Sequence, residues 1–187
     1  MSQTEPRTTA KEATCTLDEV KKLRVDALYG KKKHFNAADR KRRYHLWTGI
    51  PALIINLLLG SYLVGALSSV LPDLCNWVGA AFALIAAALI ALQTALNFER
   101  TAELHQSIGT RYLSVAKECG RLIAYCKDDK VEASSLREQL ENLARRHDEI
   151  NCDAAKCPTS DADYRKAKQG FKEGEEEYTE GEFNAKD

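Results

Sequence analysis

The sequence predicts an all-α membrane protein, a two-transmembrane helical hairpin with a cytoplasmic helical bundle formed by its N- and C-terminal flanks. Three observations predict it: no Lys, Arg, Asp or Glu lies between Arg43 and Asp73, none lies between Asp73 and Glu99, and apolar residues recur at helical spacing on both sides of that region. A bilayer core of roughly 30 Å needs about 20 apolar helical residues, and each stretch exceeds that. The composition, 44% hydrophobic and 29% charged with no net charge, resembles an ordinary soluble domain. The uneven distribution excludes one, because local hydropathy, not the mean, decides insertion.

Residues 1–16 show no apolar periodicity and are expected to form a disordered N-terminal tail. Leu17, Val20, Leu23, Ala27 and Leu28 then recur at helical spacing, with Asp18 and Glu19 early. This predicts an amphipathic cytoplasmic helix over about 17–43. The first span runs over about 45–71 and the second over about 75–98, joined by a short link around Pro72, Asp73 and Leu74. A signal peptide would be a single apolar run near the N-terminus, whereas a long polar segment comes first here, so both spans are kept in the mature protein.

Beyond the second span no Pro occurs from Asn97 to Lys127, which predicts a helix continuing without a break over 99–127. Its apolar positions are Leu104, Ile108, Tyr112, Val115, Cys119, Leu122 and Cys126. From Ile108 onward they alternate four- and three-residue steps, the seam of an antiparallel bundle or coiled coil. A further helix over about 130–151 places Leu136, Leu140, Leu143, His147 and Ile150 on one stripe. Residues 17–170 thus form the folded domain, and residues 171–187 are expected to be an acidic disordered tail.

Ahead of the first span, Lys31, Lys32, Lys33, Arg40, Lys41, Arg42 and Arg43 face one acid, Asp39. By the positive-inside rule this flank, and therefore both termini of the hairpin, is cytoplasmic at the cell (inner or plasma) membrane. Its position at the membrane explains the basic run, so direct nucleic-acid binding is not expected. Basic groups outnumber acidic ones before residue 50 and acidic groups outnumber basic ones after residue 128, so the two flanks can attract each other.

In the second span Gly79, Ala83, Ala87 and Ala91 recur every four residues, a small-residue stripe that permits close helix packing. Its partner is either the first span or another subunit. Both spans are poor in ionisable groups, which argues against a proton pump or ion-coupled transporter. The polar residues Asn56, Ser61, Ser68, Gln93 and Asn97 are candidates for pore lining or helix packing. Ser61 and Ser68 share one helix face, Gln93 and Asn97 another, and a buried Asn56 amide should seek a partner across helices. Two helices cannot enclose an aqueous path, so conduction would require a homo-oligomer.

No Ser/His/Asp, HExxH or Cys/His pattern, P-loop or GxGxxG is present, so no catalytic residue, metal ligand or cofactor is assigned. Cys119 and Cys126, or Cys152 and Cys157 near His147, lack zinc-site spacing. Free thiols packed as small hydrophobes are expected.

At the exit of the second span, LNFERTAELHQSIGTRYLSVAKECGRLI resembles the SLATT family, the SMODS and SLOG-associating two-transmembrane effector domains. Phe98 after an alanine-rich span, then Ala102, His105 and Tyr112, carry the likeness. The helix, basic stretch, two spans and cytoplasmic helices ending at CPTSDADYRKA agree with it. The resemblance implies a bacterial conflict-system effector that forms membrane pores and kills or arrests the infected cell. It implies a separate cytoplasmic sensor or nucleotide-signalling partner as trigger, because no sensor domain is seen here. His105 and Tyr112 are read as structural coupling residues. The competing expectation is a non-conducting membrane scaffold that captures a cytoplasmic partner through Leu136, Leu140 and Leu143.

Overall fold

The computed structural model describes residues 5–67, 73–128 and 131–176, with side chains over 14–63, 77–128 and 131–176. Its described residues form five helices and no strand: α1 (Glu5–Leu67), α2 (Asp73–Leu96), α3 (Phe98–Lys127), α4 (Ala133–Ala155) and α5 (Asp161–Lys172). They divide into two compact units, Ala38–Glu103 and Met1–Ala37 with Leu104–Asp187.

The expected separation of an amphipathic helix from the first span is absent, since α1 is one helix of 63 residues. It reaches back to Glu5, into the segment expected to be disordered. Adding a residue to an existing helix needs no new nucleus, and Ala10, Lys11, Glu12 and Ala13 are good helix formers. Pro51 lies inside α1 and leaves the Trp47 carbonyl without its usual donor four residues on.

Among the described residues two helical stretches, Thr14–Leu63 and Trp77–Lys127, are long and apolar enough to cross a membrane. Only 6% of each apolar window is buried, which a core helix of a soluble protein would not tolerate. Leu53 and Leu57 are each 71% exposed and Trp77 is 78% exposed. Side chains so placed need lipid or another apolar surface around them.

Within the unit Ala38–Glu103 α1 and α2 meet through small residues. Ala52 and Ala86 are almost fully buried. A Cβ on Gly79 would lie 2.9 Å from the Tyr62 ring, and one on Gly49 would lie 2.6 Å from Gln93 Nε2. On α2 the contact therefore follows Gly79, Ala86 and Gln93, at seven-residue steps. Of the four-residue stripe only Gly79 is buried, while Ala83, Ala87 and Ala91 are exposed. Geometry explains the difference: four residues advance about 40° around a helix beyond a full turn, whereas seven residues stay within about 20° of one face.

A second difference lies at Asn97. α2 ends at Leu96 and α3 starts at Phe98, because Asn97 adopts φ +40°. Asn enters the left-handed region more readily than most residues, since its short amide can hydrogen-bond locally. Hydrogen bonds from Asn97 N to the Gln93 carbonyl (2.9 Å) and from Thr101 N to the Asn97 carbonyl (3.1 Å) run through the interruption.

The other unit is a helical bundle built from both flanks of the hairpin. Its core holds Val20 and Ala27 of α1, Ile108, Tyr112, Val115, Cys119 and Leu122 of α3, and Leu136, Leu143 and Ile150 of α4. Leu23, Leu28, Cys126 and Leu140 pack against that core, so all three apolar stripes face inward. Leu104 departs from the expected seam and is 49% exposed.

Helix α5 lies beyond the last helix that apolar periodicity predicts. Ser160 starts it with a reciprocal capping box, its hydroxyl accepting from Asp163 N while Asp163 accepts from Ser160 N. The fold also corrects the boundary at residue 171. Gly174 (φ +77°) closes α5 with bonds from Gly174 N to the Phe171 carbonyl and from Glu175 N to the Gly170 carbonyl, the Schellman pattern. That turn brings Glu176 within 2.6 Å of Lys31 and Glu175 within 2.7 Å of Lys32. Phe171 packs on Tyr29, ring centroids 4.3 Å apart, and beneath the Lys32 ammonium. The part of the expected tail up to Glu176 is thus packed structure, held by ion pairs and aromatic contact that local composition does not reveal.

Candidate functional site

The family-motif residues divide between the two units. In the hairpin unit Phe98 packs 5.7 Å from the Tyr44 ring and below Lys41, and Ala102 is buried. His105 and Tyr112 lie on α3 in the bundle unit. His105, 1% exposed, is the largest fully buried side chain.

His105 bonds in two directions. Its Nδ1 lies 3.0 Å from Nδ1 of His34 on α1, and its Nε2 lies 3.3 Å from Sγ of Cys157 just beyond α4. One proton occupies the gap between the two Nδ1 atoms, so one ring donates and the other accepts. If His105 donates to His34, its Nε2 accepts from the Cys157 thiol; in the alternative tautomer both directions reverse. Either arrangement keeps both rings neutral and ties together α1, α3 and the α4–α5 link. Burial lowers His34 to about 4, with the neighbouring His105 and Lys33 charges adding and Asp163 opposing.

Tyr112 continues the polar layer. Its hydroxyl donates to Asn151 Oδ1 at 2.6 Å, and Asn151 Nδ2 lies 3.2 Å from His147 Nδ1. Burial raises the Tyr112 phenol and lowers His147, which keeps both neutral. The close approach of α1 to α3 rests on two glycines. A Cβ on Gly30 would lie 2.9 Å from the Tyr112 ring, and one on Gly109 would lie 2.7 Å from the Phe35 ring.

The buried His34–His105–Cys157 chain has no opening for a substrate and acts as an internal fastening. Cys119 is likewise enclosed, and burial pushes its thiol up to about 11, far from a reactive thiolate. Among the described residues no group of three or more His, Cys, Asp or Glu is placed to hold a metal ion.

The polar span residues take different positions. Gln93 Nε2 donates to the His45 carbonyl at 3.1 Å and joins α2 to α1. Asn56 Nδ2 donates to the Ala52 carbonyl of its own helix at 2.8 Å, not across helices, and Ser61 bonds the Leu57 carbonyl in the same way. Both side chains are otherwise exposed. Asn97 interrupts the helix, and Ser68 lies outside the described residues. In the basic flank, Lys31 and Lys32 are engaged by Glu176 and Glu175, while Arg40 and Lys41 lie over the Tyr44 and Phe98 rings.

The sequence carries no local signal for the partners of His105. His34 and Cys157 lie 71 and 52 residues away from it, and only the helical seam around His105 hinted at an inward position. Of the leucines expected to capture a partner, Leu136 and Leu143 are in the core, 4% and 5% exposed, and Leu140 packs partly buried against it.

A family model described as SMODS and SLOG-associating 2TM effector domain family 4 matches residues 17–182. No curated protein and no solved structure matches the chain. The match covers nearly the whole chain, including both apolar helices and the bundle on their flanks, and the chain belongs to the SMODS and SLOG-associating two-transmembrane effector domain family 4.

Proposed function

We propose that the protein is an oligomeric pore-forming membrane effector of a bacterial conflict system. Its flanking bundle lies in the cytoplasm and holds the pore closed until a separate nucleotide-signal sensor or partner triggers it. Opening permeabilises the membrane and kills or arrests the cell.

The observation that carries this reading is Asn56. One amide hydrogen bonds the Ala52 carbonyl, but Oδ1 and the second hydrogen have no partner among the described residues, on a helix otherwise sheathed in exposed Leu and Ile. An amide left so in hydrocarbon costs roughly 1–3 kcal/mol, which water in a lumen or a neighbouring subunit would relieve. The exposed Ala83, Ala87 and Ala91 provide a second face where another subunit could approach closely. Family membership supplies the link to conflict systems.

The test is ion leakage from liposomes containing the full chain, comparing wild type with Asn56→Leu. Leucine preserves hydrophobicity and insertion but removes the amide, so the proposal expects ion flux to fall while membrane incorporation is unchanged. Equal flux from both proteins would remove Asn56 from the conduction path.

A further inference from the structure

A cleft of about 560 Å³ opens on the bundle unit where α1, α3, α4 and α5 converge, away from the buried His34–His105–Cys157 chain. Its lining includes Tyr29 and Lys33 of α1, His147 of α4, and Tyr164 and Lys168 of α5. Tyr112 and Asn151 also line it. The size suits a small organic ligand.

The polar groups on this lining are mostly unused donors. Neither Lys33 nor Lys168 has an ion-pair or hydrogen-bond partner among the described residues, unlike Lys31 and Lys32 on the same helix. The hydroxyls of Tyr29 and Tyr164 are also without hydrogen-bond partners among those residues. His147 is a built donor. The Tyr112 hydroxyl fixes the Asn151 amide by donating to Oδ1, so Asn151 Nδ2 donates to His147 Nδ1. The neutral ring then carries its proton on Nε2. Asp26 is the single acid on the lining, against two ammonium groups.

The walls add flat apolar surface. Tyr29 and Tyr164 are stacked with ring centroids 6.2 Å apart and an interplanar angle of 29°. Donors and cations in excess of acceptors, beside aromatic rings, suit a ligand with an anionic group at one end and a flat ring at the other.

We infer that this cleft binds a small organic anion bearing a flat ring, its anionic end held by Lys33 and Lys168 and its ring set against Tyr29 and Tyr164. Such a ligand bridges helices from both flanks of the hairpin. The inference is independent of the pore reading, because binding is measured without ion flux.

The test uses the full chain in detergent, titrated calorimetrically with ADP (ring and anion), pyrophosphate (anion alone) and adenosine (ring alone). ADP is expected to bind saturably, with pyrophosphate and adenosine each weaker by roughly tenfold or more. Lys33→Gln with Lys168→Gln is expected to weaken ADP by roughly tenfold or more, while Lys21→Gln with Lys22→Gln, which removes two cations elsewhere on α1, leaves it unchanged. Tyr164→Ala is expected to weaken ADP and leave pyrophosphate unaltered. The inference is overturned by no saturable ADP binding at millimolar concentration, by ADP binding no tighter than pyrophosphate, or by equal losses in the two lysine double variants.

Discussion

His34 and His105 face each other through their Nδ1 atoms, 3.0 Å apart and almost fully buried, so the pair accommodates one shared proton and excludes a second. His105 also reaches Cys157, which makes it the point where α1, α3 and the α4–α5 link are tied. A fastening that depends on neutral rings responds to acid. In the folded chain His34 is lowered to about 4 from an ordinary value of 6.5. The unfolded chain therefore takes up a proton as pH falls through 6.5, whereas the folded chain resists until about 4. Stability is complete above the unfolded value and is lost progressively across that window, by about 3 kcal/mol at most. Thermal unfolding of the detergent-solubilised chain at pH values from neutral to acid is expected to show this loss. His34→Gln removes the titrating group, so its melting temperature should depend less on pH over the same range. Parallel curves for the two proteins would assign the acid sensitivity to other groups.

The crossing of α1 and α3 gives a prediction with an internal control. Gly30→Ala places a Cβ 2.9 Å from the Tyr112 ring, whose hydroxyl is anchored on Asn151. The ring cannot retreat without losing that bond, and overpacking of this kind costs about 1–3 kcal/mol. Gly120 lies on the same unit, but a Cβ there meets only Arg24 Nε at 3.7 Å, an ordinary contact. Gly120→Ala should therefore gain up to about 1 kcal/mol from helix propensity. Denaturant unfolding is expected to move in opposite directions for the two variants.

The close of α5 aims two acids at two lysines. Lys32 is 8% exposed, with Glu175 at 2.7 Å and Glu176 at 3.7 Å. Lys31 and Glu176 are both largely shielded. Glu176→Gln should cost about 1 kcal/mol, more than an exposed pair contributes. Glu175→Gln should cost less, because Glu175 is 58% exposed and solvent screens it. Hydrogen exchange is the direct measurement, with the Gly174 and Glu175 amides expected to lose protection in Glu176→Gln while amides around Val115 keep theirs.

What was legible in the chain follows from how local each cause is. The apolar stripes through Val20, Tyr112 and Leu143 could be read because burial repeats at helical spacing, and all three prove to be core. The two spans were legible because absence of charge over such a length has one physical solution. Helix α5 left a weaker trace, a Ser160–Asp163 capping box ahead of a polar helix with only Asp163, Ala167 and Gly170 buried. The four-residue alanine stripe leaves its partner open, because repeated small residues say that close approach is possible but not which helix approaches. The pairing of His105 with His34 and Cys157 had no local signal, since the three residues meet only once the hairpin returns the chain.

The split between the faces of α2 yields the final prediction. Gly79 is enclosed by the Tyr62 ring, 2.9 Å from where a Cβ would sit, so Gly79→Leu has no room within the chain's own hairpin. It should lower the amount of folded, membrane-inserted protein. Ala87 is exposed, and Ala87→Leu adds an apolar side chain that lipid accepts readily. The hairpin should therefore survive that change. If subunits associate through Ala83, Ala87 and Ala91, the larger side chain separates their backbones and weakens self-association by about tenfold or more. Chemical cross-linking in liposomes measures association, and leakage from the same vesicles measures conduction. Ala87→Leu is expected to insert normally, cross-link poorly and leak little. If it instead cross-links and leaks like wild type, the alanine stripe faces lipid and the subunit contact lies on another face.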